Sequence, residues 1–171
     1  MEARKAQDSF TTMNELVLPN DTNTFGDLMG GKLMYWMDIA AYFSAAKHCN
    51  SACMTASVDN LSFKSSIKLG NVICIEAIVS RAFNTSMEIH LKVWNQNMIT
   101  QSRELSNEAF FTFVALDENK KPKKVPEIIP ETEEQIKLYD GALRRRQLRL
   151  VLSGKMNPHD ATELKAYFTE A

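Results

Sequence analysis

The sequence has few of the residues that mark disulfide scaffolds, metal sites and phosphate loops, with 3 Cys, 3 His and 6 Gly among 171 residues. The thiols are odd in number, and Cys49 with Cys53 has no second Cys/His pair at zinc-ligand spacing. No Gly-x-Ser-x-Gly elbow occurs, and Gly154-Lys155 lacks the upstream glycine of a phosphate loop. We therefore expect reduced thiols and no metal, and two common enzyme classes, the serine hydrolases and the P-loop NTPases, become poor candidates.

A charge excess and a long apolar run are missing as well. The 20 Lys and Arg nearly balance the 21 Asp and Glu, so the formal net charge of -1 gives no general attraction to nucleic acid or anionic membranes. No apolar run is long enough to span a bilayer, and Met1 to Asp8 lack the apolar core of a secretory signal. We expect a cytoplasmic protein with no nucleic-acid partner and no membrane insertion.

The apolar content is sufficient for one ordinary domain with an extension, since 44% of the residues are hydrophobic and 24% are charged. Periodicity predicts a strand over 11–18, a helix from about 30 to 49, strands over 52–63, 71–83, 85–98 and 101–117, a helix over 131–152 and a short last helix to about 169. The short connections between strands predict antiparallel hairpins, so we expect an α+β fold whose sheet curls around the apolar helix. The expected divisions are an N-terminal tail (1–10), the α+β domain (11–128) and a C-terminal helical extension (129–171).

One predicted strand alternates clearly between two kinds of side chain. Its apolar face carries Met87, Ile89, Leu91 and Val93, and its polar face carries Glu88, His90 and Lys92. This pattern predicts a sheet with one face toward the helix and the other toward solvent.

The start of the long helix carries the clearest chemical signal. Turn-forming residues lead to Gly30-Gly31, where helical spacing begins. The first N–H groups of a helix are free and carry partial positive charge, so glycines there outline an oxyanion site. Seven residues after Gly31, Asp38 falls on nearly the same helix face within an apolar stretch, where a carboxylate needs a partner or a cavity. Asp38 is therefore a candidate base; alternatively, it lies on a solvated stripe and the glycines serve close helix packing.

The paired glycines and Asp38 belong to a wider set of motifs that includes Asn23 and the segments 54–59 and 85–89. Together these resemble the hotdog-fold acyl-CoA thioesterases, in particular the cytosolic, brain-type acyl-CoA hydrolases and their bacterial single-domain relatives. The resemblance covers about residues 11–146. It implies a single hotdog domain, in which an antiparallel sheet wraps a long helix. It also implies homodimers with joined sheets and active sites between subunits, and trimers of such dimers are usual in similar proteins.

The resemblance further implies hydrolysis of acyl-CoA thioesters, with no cofactor other than the CoA of the substrate. Asp38 would act as general base or as nucleophile, and Asn23 of the neighbouring subunit would orient water. The N–H groups of Gly30 and Gly31 would polarise the thioester carbonyl, and Thr55 would offer a hydroxyl to the same cavity.

One departure from the family pattern bears on the reaction. Many relatives have a histidine before the paired glycines, whereas this chain has Met29, and no histidine lies between Asn20 and Lys47. This favours hydrolysis over dehydration. Asp21 and Asp27 are expected as turn residues, with Asp27 the weaker rival for the base. A non-catalytic acyl-CoA sensor is the alternative function, although a binder needs no carboxylate beside the thioester.

The resemblance also indicates where CoA would bind. Similar proteins hold CoA near the predicted hairpin, and guanidinium and ammonium groups suit its phosphates. The candidates are Asn84, Thr85, Ser86, Arg81, Lys64 and Arg144, the last from the basic cluster 144–146. Ordinary hairpin chemistry and solvation of the surface are the alternative interpretations of these positions.

Overall fold

The computed structural model describes residues 1–59, 61 and 65–169. Within these residues the elements are β1 (Arg4–Lys5), β2 (Thr11–Leu16), α1 (Gly30–Cys49), β3 (Cys53–Asp59), β4 (Val72–Ala82), β5 (Ser86–Gln96), β6 (Arg103–Ala115), β7 (Ile128–Ile129), α2 (Glu133–Leu152) and α3 (Thr162–Thr169). The predicted α+β architecture and the order of its long elements are confirmed. The predicted strand over 52–63 corresponds to β3, and of its predicted end, residues 60, 62 and 63 lie outside the described part.

A five-stranded antiparallel sheet forms the body of the fold, with the strand order β2-β4-β5-β6-β3. The helix α1 packs on one face of this sheet and buries Leu33, Met37 and Ala41 against it. The apolar face of β5 lies in this core, as its alternation predicts. The strands β2 and β3 form the two edges, so β3 keeps one side of its backbone unpaired within this chain.

The helix α2 covers the central part of the second face of the sheet, where Glu88 and His90 are buried, so the prediction that this face is open to solvent is wrong there. Glu88 of β5 is fully buried there and accepts hydrogen bonds from Arg145 of α2, at 2.7 Å from Nη2 and 3.1 Å from Nε. Lys92 of β5 pairs with Glu134 of α2. The polar alternation therefore marks the side chains that hold a helix in place. Gly141 makes room for this contact, because a Cβ there would lie 2.6 Å from Arg145 Nη1.

The first residues of the chain are also built into the fold, although a tail was expected over 1–10. The strand β1 pairs in parallel with β7, which spans the expected boundary at 128–129. Ala6 and Ser9 are buried just after β1. A two-residue strand carries no periodic signal, and its partner lies at the far end of the domain, which explains why the pattern did not indicate it. None of the described helices combines the length and apolarity needed to cross a bilayer.

Candidate active site

The first turn of α1 opens on a surface cavity of about 340 Å³ that Asn23 and Gly30 line together with Leu33 and residues 65–67. The N–H groups of Lys32 and Leu33 both bond to the Met29 carbonyl, at 3.0 and 3.1 Å. Within the described residues, the amides of Gly30 and Gly31 donate to no protein acceptor. A Cβ at Gly31 would meet no atom within 4 Å. Two unshielded donors therefore stand at the positive end of a 20-residue helix.

Asn23 lies in a tight loop beside these donors. Its side-chain Oδ1 accepts hydrogen bonds from the N–H groups of Phe25 at 2.9 Å and Asp27 at 3.2 Å. Its own N–H donates to the Asp27 carbonyl at 2.8 Å. Gly26 adopts a φ of +74°, which the loop needs in order to turn. Because Oδ1 is occupied twice, the NH₂ group is what Asn23 offers to a ligand. We call Asn23, Gly30 and Gly31 the donor site.

Asp38 lies two helical turns beyond Gly31 and is half-buried. Thr55 of β3 donates its hydroxyl proton to Asp38 Oδ1 at 2.6 Å. The register of β3 against β6 shifts directly after Thr55, between Thr55 and Ser57, and such bulges re-aim side chains. No cation pairs with Asp38 in the described part of the chain. We call Asp38 and Thr55 the carboxylate site.

The structure brings Asp38 and Thr55 together but keeps them apart from the donor site. Seven residues of helix between Gly31 and Asp38 correspond to about 10 Å along the axis. Asp38 does not line the cavity that Asn23 and Gly30 share. One chain thus carries two partial sites.

The rival carboxylates near the donor site are already engaged. Asp21 accepts from the Leu18 N–H at 3.0 Å and pairs with Lys32 at 3.1 Å. The Leu18 hydrogen bond, with support from Lys32, holds the pKa of Asp21 below its usual value. Asp27 pairs with Lys68 at 2.5 Å. These partners make both residues structural parts of the loop.

The predicted CoA-binding residues lie in different surroundings. Asn84 and Arg81 line a cavity of about 450 Å³ at the turn between β4 and β5. The backbone of this turn is held by three hydrogen bonds to its carbonyl groups. Val125 donates to Asn84, Ala115 donates to Thr85, and Phe83 donates to Ser86. Arg144 instead lies over the Tyr167 ring, with 5.2 Å from its guanidinium carbon to the ring centroid. Lys64 lies outside the described residues.

Comparison with known proteins assigns this geometry to a family. A profile of the thioesterase superfamily matches residues 25–101. An uncharacterized acyl-CoA thioester hydrolase of Bacillus subtilis, YkhA, is 41% identical over 148 residues, which are 86% of each chain. The chain belongs to the hotdog-fold acyl-CoA thioesterases. The mouse cytosolic acyl coenzyme A thioester hydrolase is 36% identical over 88% of this chain and 40% of its own. The resemblance that the sequence motifs indicate is confirmed.

Solved structures agree with this assignment. An apo-hexameric acyl-CoA thioesterase superposes on this thioesterase with a TM-score of 0.87, at 40% identity over 90% of this chain and 98% of its own. An acyl-CoA hydrolase from Staphylococcus aureus, in complex with butyryl coenzyme A, coenzyme A and coenzyme A disulfide, gives 0.81 at 34% identity over 88% and 94%. Three further structures of the S. aureus hydrolase carry alanine in place of one aspartate, one threonine or one asparagine.

Arg146 belongs to the predicted basic cluster 144–146 of this thioesterase, but the sequence analysis singled out Arg144 from that cluster. Its guanidinium carbon lies 4.3 Å from the centroid of the Phe83 ring, beside the turn that carries Asn84. Burial, with a smaller contribution from Arg149, lowers the pKa of Arg146. Within the described residues it has no carboxylate partner, whereas Arg145 is bound to Glu88. The sequence shows three consecutive arginines and cannot tell which partner each one contacts. That depends on how α2 packs on the sheet.

Proposed function

We propose that this thioesterase hydrolyses acyl-CoA thioesters to a free acid and CoA. The observation that carries the proposal is the hydrogen bond from Thr55 to Asp38, which fixes the orientation of one half-buried carboxylate. The asparagine, aspartate and threonine replaced in the S. aureus hydrolase are spaced by fifteen and then seventeen residues. Asn23, Asp38 and Thr55 have the same two spacings. This agreement supports a shared site.

The geometry favours a site formed by two subunits. A reacting carbonyl must lie about 3 Å from its donors and about 3 Å from the attacking oxygen. Within one chain the donor site and the carboxylate site are about 10 Å apart, which exceeds that span. We therefore propose that the donor site of one subunit faces the carboxylate site of its neighbour.

The exposed surface beside the carboxylate site is suited to such a homodimer. The edge strand β3 carries Thr55, and its side chains Met54 and Val58 are exposed. The neighbouring surface of α1 exposes Tyr35 and Phe43 as well. Pairing of β3 with its counterpart would join two sheets, satisfy the open backbone and cover these apolar groups. We propose this homodimer, and a trimer of such dimers as the complete assembly, since structures of relatives are hexameric.

In the proposed reaction the carbonyl oxygen of the thioester accepts hydrogen bonds from the Gly30 and Gly31 amides and from the NH₂ group of Asn23. These donors stabilise the negative charge that develops on that oxygen. We assign Asn23 to the carbonyl rather than to water, because its own acceptor is occupied. Asp38 either removes a proton from the attacking water or attacks the carbonyl carbon itself, and Thr55 fixes its orientation. If water attacks, the bond to sulfur breaks, Asp38 returns its proton to the sulfur, and the free acid and CoA leave. If Asp38 attacks, CoA leaves first and takes a proton from water, and a second water then hydrolyses the acyl anhydride on Asp38 to the free acid.

For the phosphates of CoA we propose Arg81 and Arg146 in place of Arg144, because their guanidinium carbons lie 6.0 and 4.3 Å from the centroid of the Phe83 ring. The guanidinium carbon of Arg81 lies 4.0 Å from the Tyr139 ring centroid, so aromatic stacking orients it. Asn84 lies in the same cavity. Lys64 and the side chains of Thr85 and Ser86 remain candidates from the sequence.

Mixing two inactive variants tests the two-subunit site. Asn23→Ala damages the donor site and Asp38→Asn damages the carboxylate site, so a dimer with one copy of each contains one intact site. After equal mixing and subunit exchange, release of free CoA thiol should recover to about a quarter of the wild-type rate. The matched control mixes Asp38→Asn with Thr55→Ala, which leaves no intact site and should recover nothing. Equal recovery in both mixtures, or in neither, would contradict the arrangement.

The same assay separates the enzyme from a sensor. Time-dependent release of CoA thiol from a panel of acyl-CoAs by the wild-type protein supports hydrolysis. Saturable binding without thiol release would instead support the non-catalytic acyl-CoA sensor.

Gly31→Ala is expected to lower hydrolysis without lowering stability. The added methyl group meets no atom of its own chain, and alanine favours helix over glycine by up to about 1 kcal/mol. In the proposed site it stands where the thioester carbonyl approaches, so we expect kcat/KM to fall at least about fivefold, a loss of about 1 kcal/mol. Steady-state kinetics and urea denaturation of the same preparation check both statements. An unchanged kcat/KM would remove Gly31 from the donor site.

A further inference from the structure

The turn between α1 and β3 brings two cysteines together. The helix α1 ends at Cys49, and β3 begins at Cys53. Between them Asn50 adopts the left-handed conformation, with a φ of 48°, and its N–H bonds to the Ala46 carbonyl at 2.8 Å. This reversal turns the chain back at the end of the helix, and the thiols of Cys49 and Cys53 lie close enough for each to shift the pKa of the other. The two sulfur atoms are therefore neighbours in the folded protein.

The surroundings of Cys49 favour its thiolate. The effect of Cys53 is the largest, followed by that of Ser51 and by the charge of Lys123. The Ser51 hydroxyl donates to Cys49 Sγ at 3.3 Å, and Sγ lies 3.4 Å from the Ser51 carbonyl oxygen, to which it donates in the thiol form. Together, and against its burial, they lower the pKa of Cys49 to about 6. Arg4 donates to the Lys47 and His48 carbonyls at 3.0 and 2.8 Å, so a cation neutralises the helix end where Cys49 stands.

Cys53 is the complementary partner. The interaction with Cys49, burial and the nearby charges of Cys49 and Asp38 raise the pKa of Cys53. Cys49 itself lines a surface cavity of about 290 Å³ together with Arg4 and Lys123. A small oxidant can therefore reach Cys49, whose thiol has the lower pKa, and the Cys53 thiol is its neighbour.

We propose that Cys49 and Cys53 form a site of reversible oxidation that reacts with hydrogen peroxide and closes a disulfide between α1 and β3. The Cys49 thiolate attacks one peroxide oxygen, the O–O bond breaks, and Cys49 becomes a sulfenic acid while hydroxide leaves. The Cys53 sulfur then attacks the Cys49 sulfur, the S–O bond breaks, and the released hydroxide takes up the Cys53 proton as water. In total, two thiols are oxidised by two electrons and one peroxide is reduced to two waters.

The disulfide would act on the carboxylate site, and this consequence rests on the proposed function. Thr55 stands two residues beyond Cys53 and donates to Asp38 on α1. A covalent bond between the end of α1 and the start of β3 shifts the two elements that carry this hydrogen bond. We therefore expect the disulfide form to hydrolyse acyl-CoA at least about threefold more slowly than the reduced form.

Mass spectrometry of the full chain tests the thiol pair directly. The reduced protein is exposed to hydrogen peroxide with a chelator present, alkylated and mapped. We expect loss of two hydrogens, a crosslink between Cys49 and Cys53, and full reversal by dithiothreitol. Cys74→Ser should behave like the wild type, because Cys74 lies on β4, where burial raises its pKa. Cys53→Ser should instead keep a trappable sulfenic acid at Cys49. Absence of the crosslink, or a crosslink through Cys74, overturns the proposal.

Activity of the same samples decides the second part. A reversible loss of hydrolysis in the wild type, absent from Cys49→Ser and Cys53→Ser, supports coupling to Asp38. Unchanged hydrolysis by fully crosslinked protein overturns that coupling. If reduced wild-type protein releases no CoA at all, the proposed function fails, whereas the mass measurement still decides the thiol pair.

Discussion

Asp38→Asn is expected to lower kcat/KM for acyl-CoA hydrolysis by at least about a hundredfold while leaving the fold intact. Asparagine has nearly the same shape, and its amide oxygen can still accept the Thr55 hydroxyl that lies 2.6 Å from Asp38 Oδ1. It cannot take a proton from water or attack a carbonyl. General base catalysis contributes about 10²–10⁴ in rate, which is about 3–5 kcal/mol of barrier. Release of CoA thiol gives the rate, and thermal unfolding checks the fold.

Asp140→Asn is a matched control for this substitution. Asp140 is exposed on α2. Its replacement by asparagine removes the same charge outside the carboxylate site, so this variant should have the kinetics of the wild type. Binding of CoA to Asp38→Asn should persist, because the proposed phosphate ligands are untouched. Turnover within a few fold of the wild type would show that another group activates the nucleophile, and Asp38 would then be a structural partner of Thr55.

The elements around this site could be predicted because each has a local physical cause. The helix begins at Gly30 where turn residues end, and its stripe of Leu33, Met37 and Ala41 points into the core. The β5 alternation placed Ile89 correctly for the same reason. What periodicity could not show is what covers the polar face of β5, because a buried Glu88 and an exposed glutamate give the same pattern.

The parts that could not be predicted depend on contacts between distant residues. The pairing of β1 with β7 joins the two ends of the domain through two residues on each side. The distinct surroundings of Arg144, Arg145 and Arg146 follow from how α2 is rotated on the sheet. The donor group of Asn23 follows from its loop, which occupies Oδ1. Residue type predicted that these side chains bind something, but only the packing shows what each one binds.

Breaking the ion pair between Glu88 and Arg145 is expected to cost this protein about 3–5 kcal/mol of unfolding free energy. The Glu88 side chain is fully buried, and among the described residues only Ser80, at 2.6 Å, would still donate to it in Arg145→Met. Arg145 also bonds to the Leu138 carbonyl at 2.7 Å and lies 3.9 Å from the centroid of the Phe110 ring. Its loss therefore loosens α2 as well as stranding a carboxylate. Urea denaturation at fixed protein concentration measures the change.

Two further variants distinguish a stranded charge from lost packing. Replacing both partners, with Glu88→Leu and Arg145→Met together, removes the unpaired carboxylate and should recover most of the loss, because apolar pairs of similar volume often replace buried ion pairs without cost. Lys5→Met breaks the exposed pair of Lys5 with Glu131 and should leave the free energy of unfolding almost unchanged, because solvent screens that pair. If the double variant is no more stable than Arg145→Met, the cost lies in packing. If Lys5→Met costs as much, the Glu88 pair has no special role in holding α2.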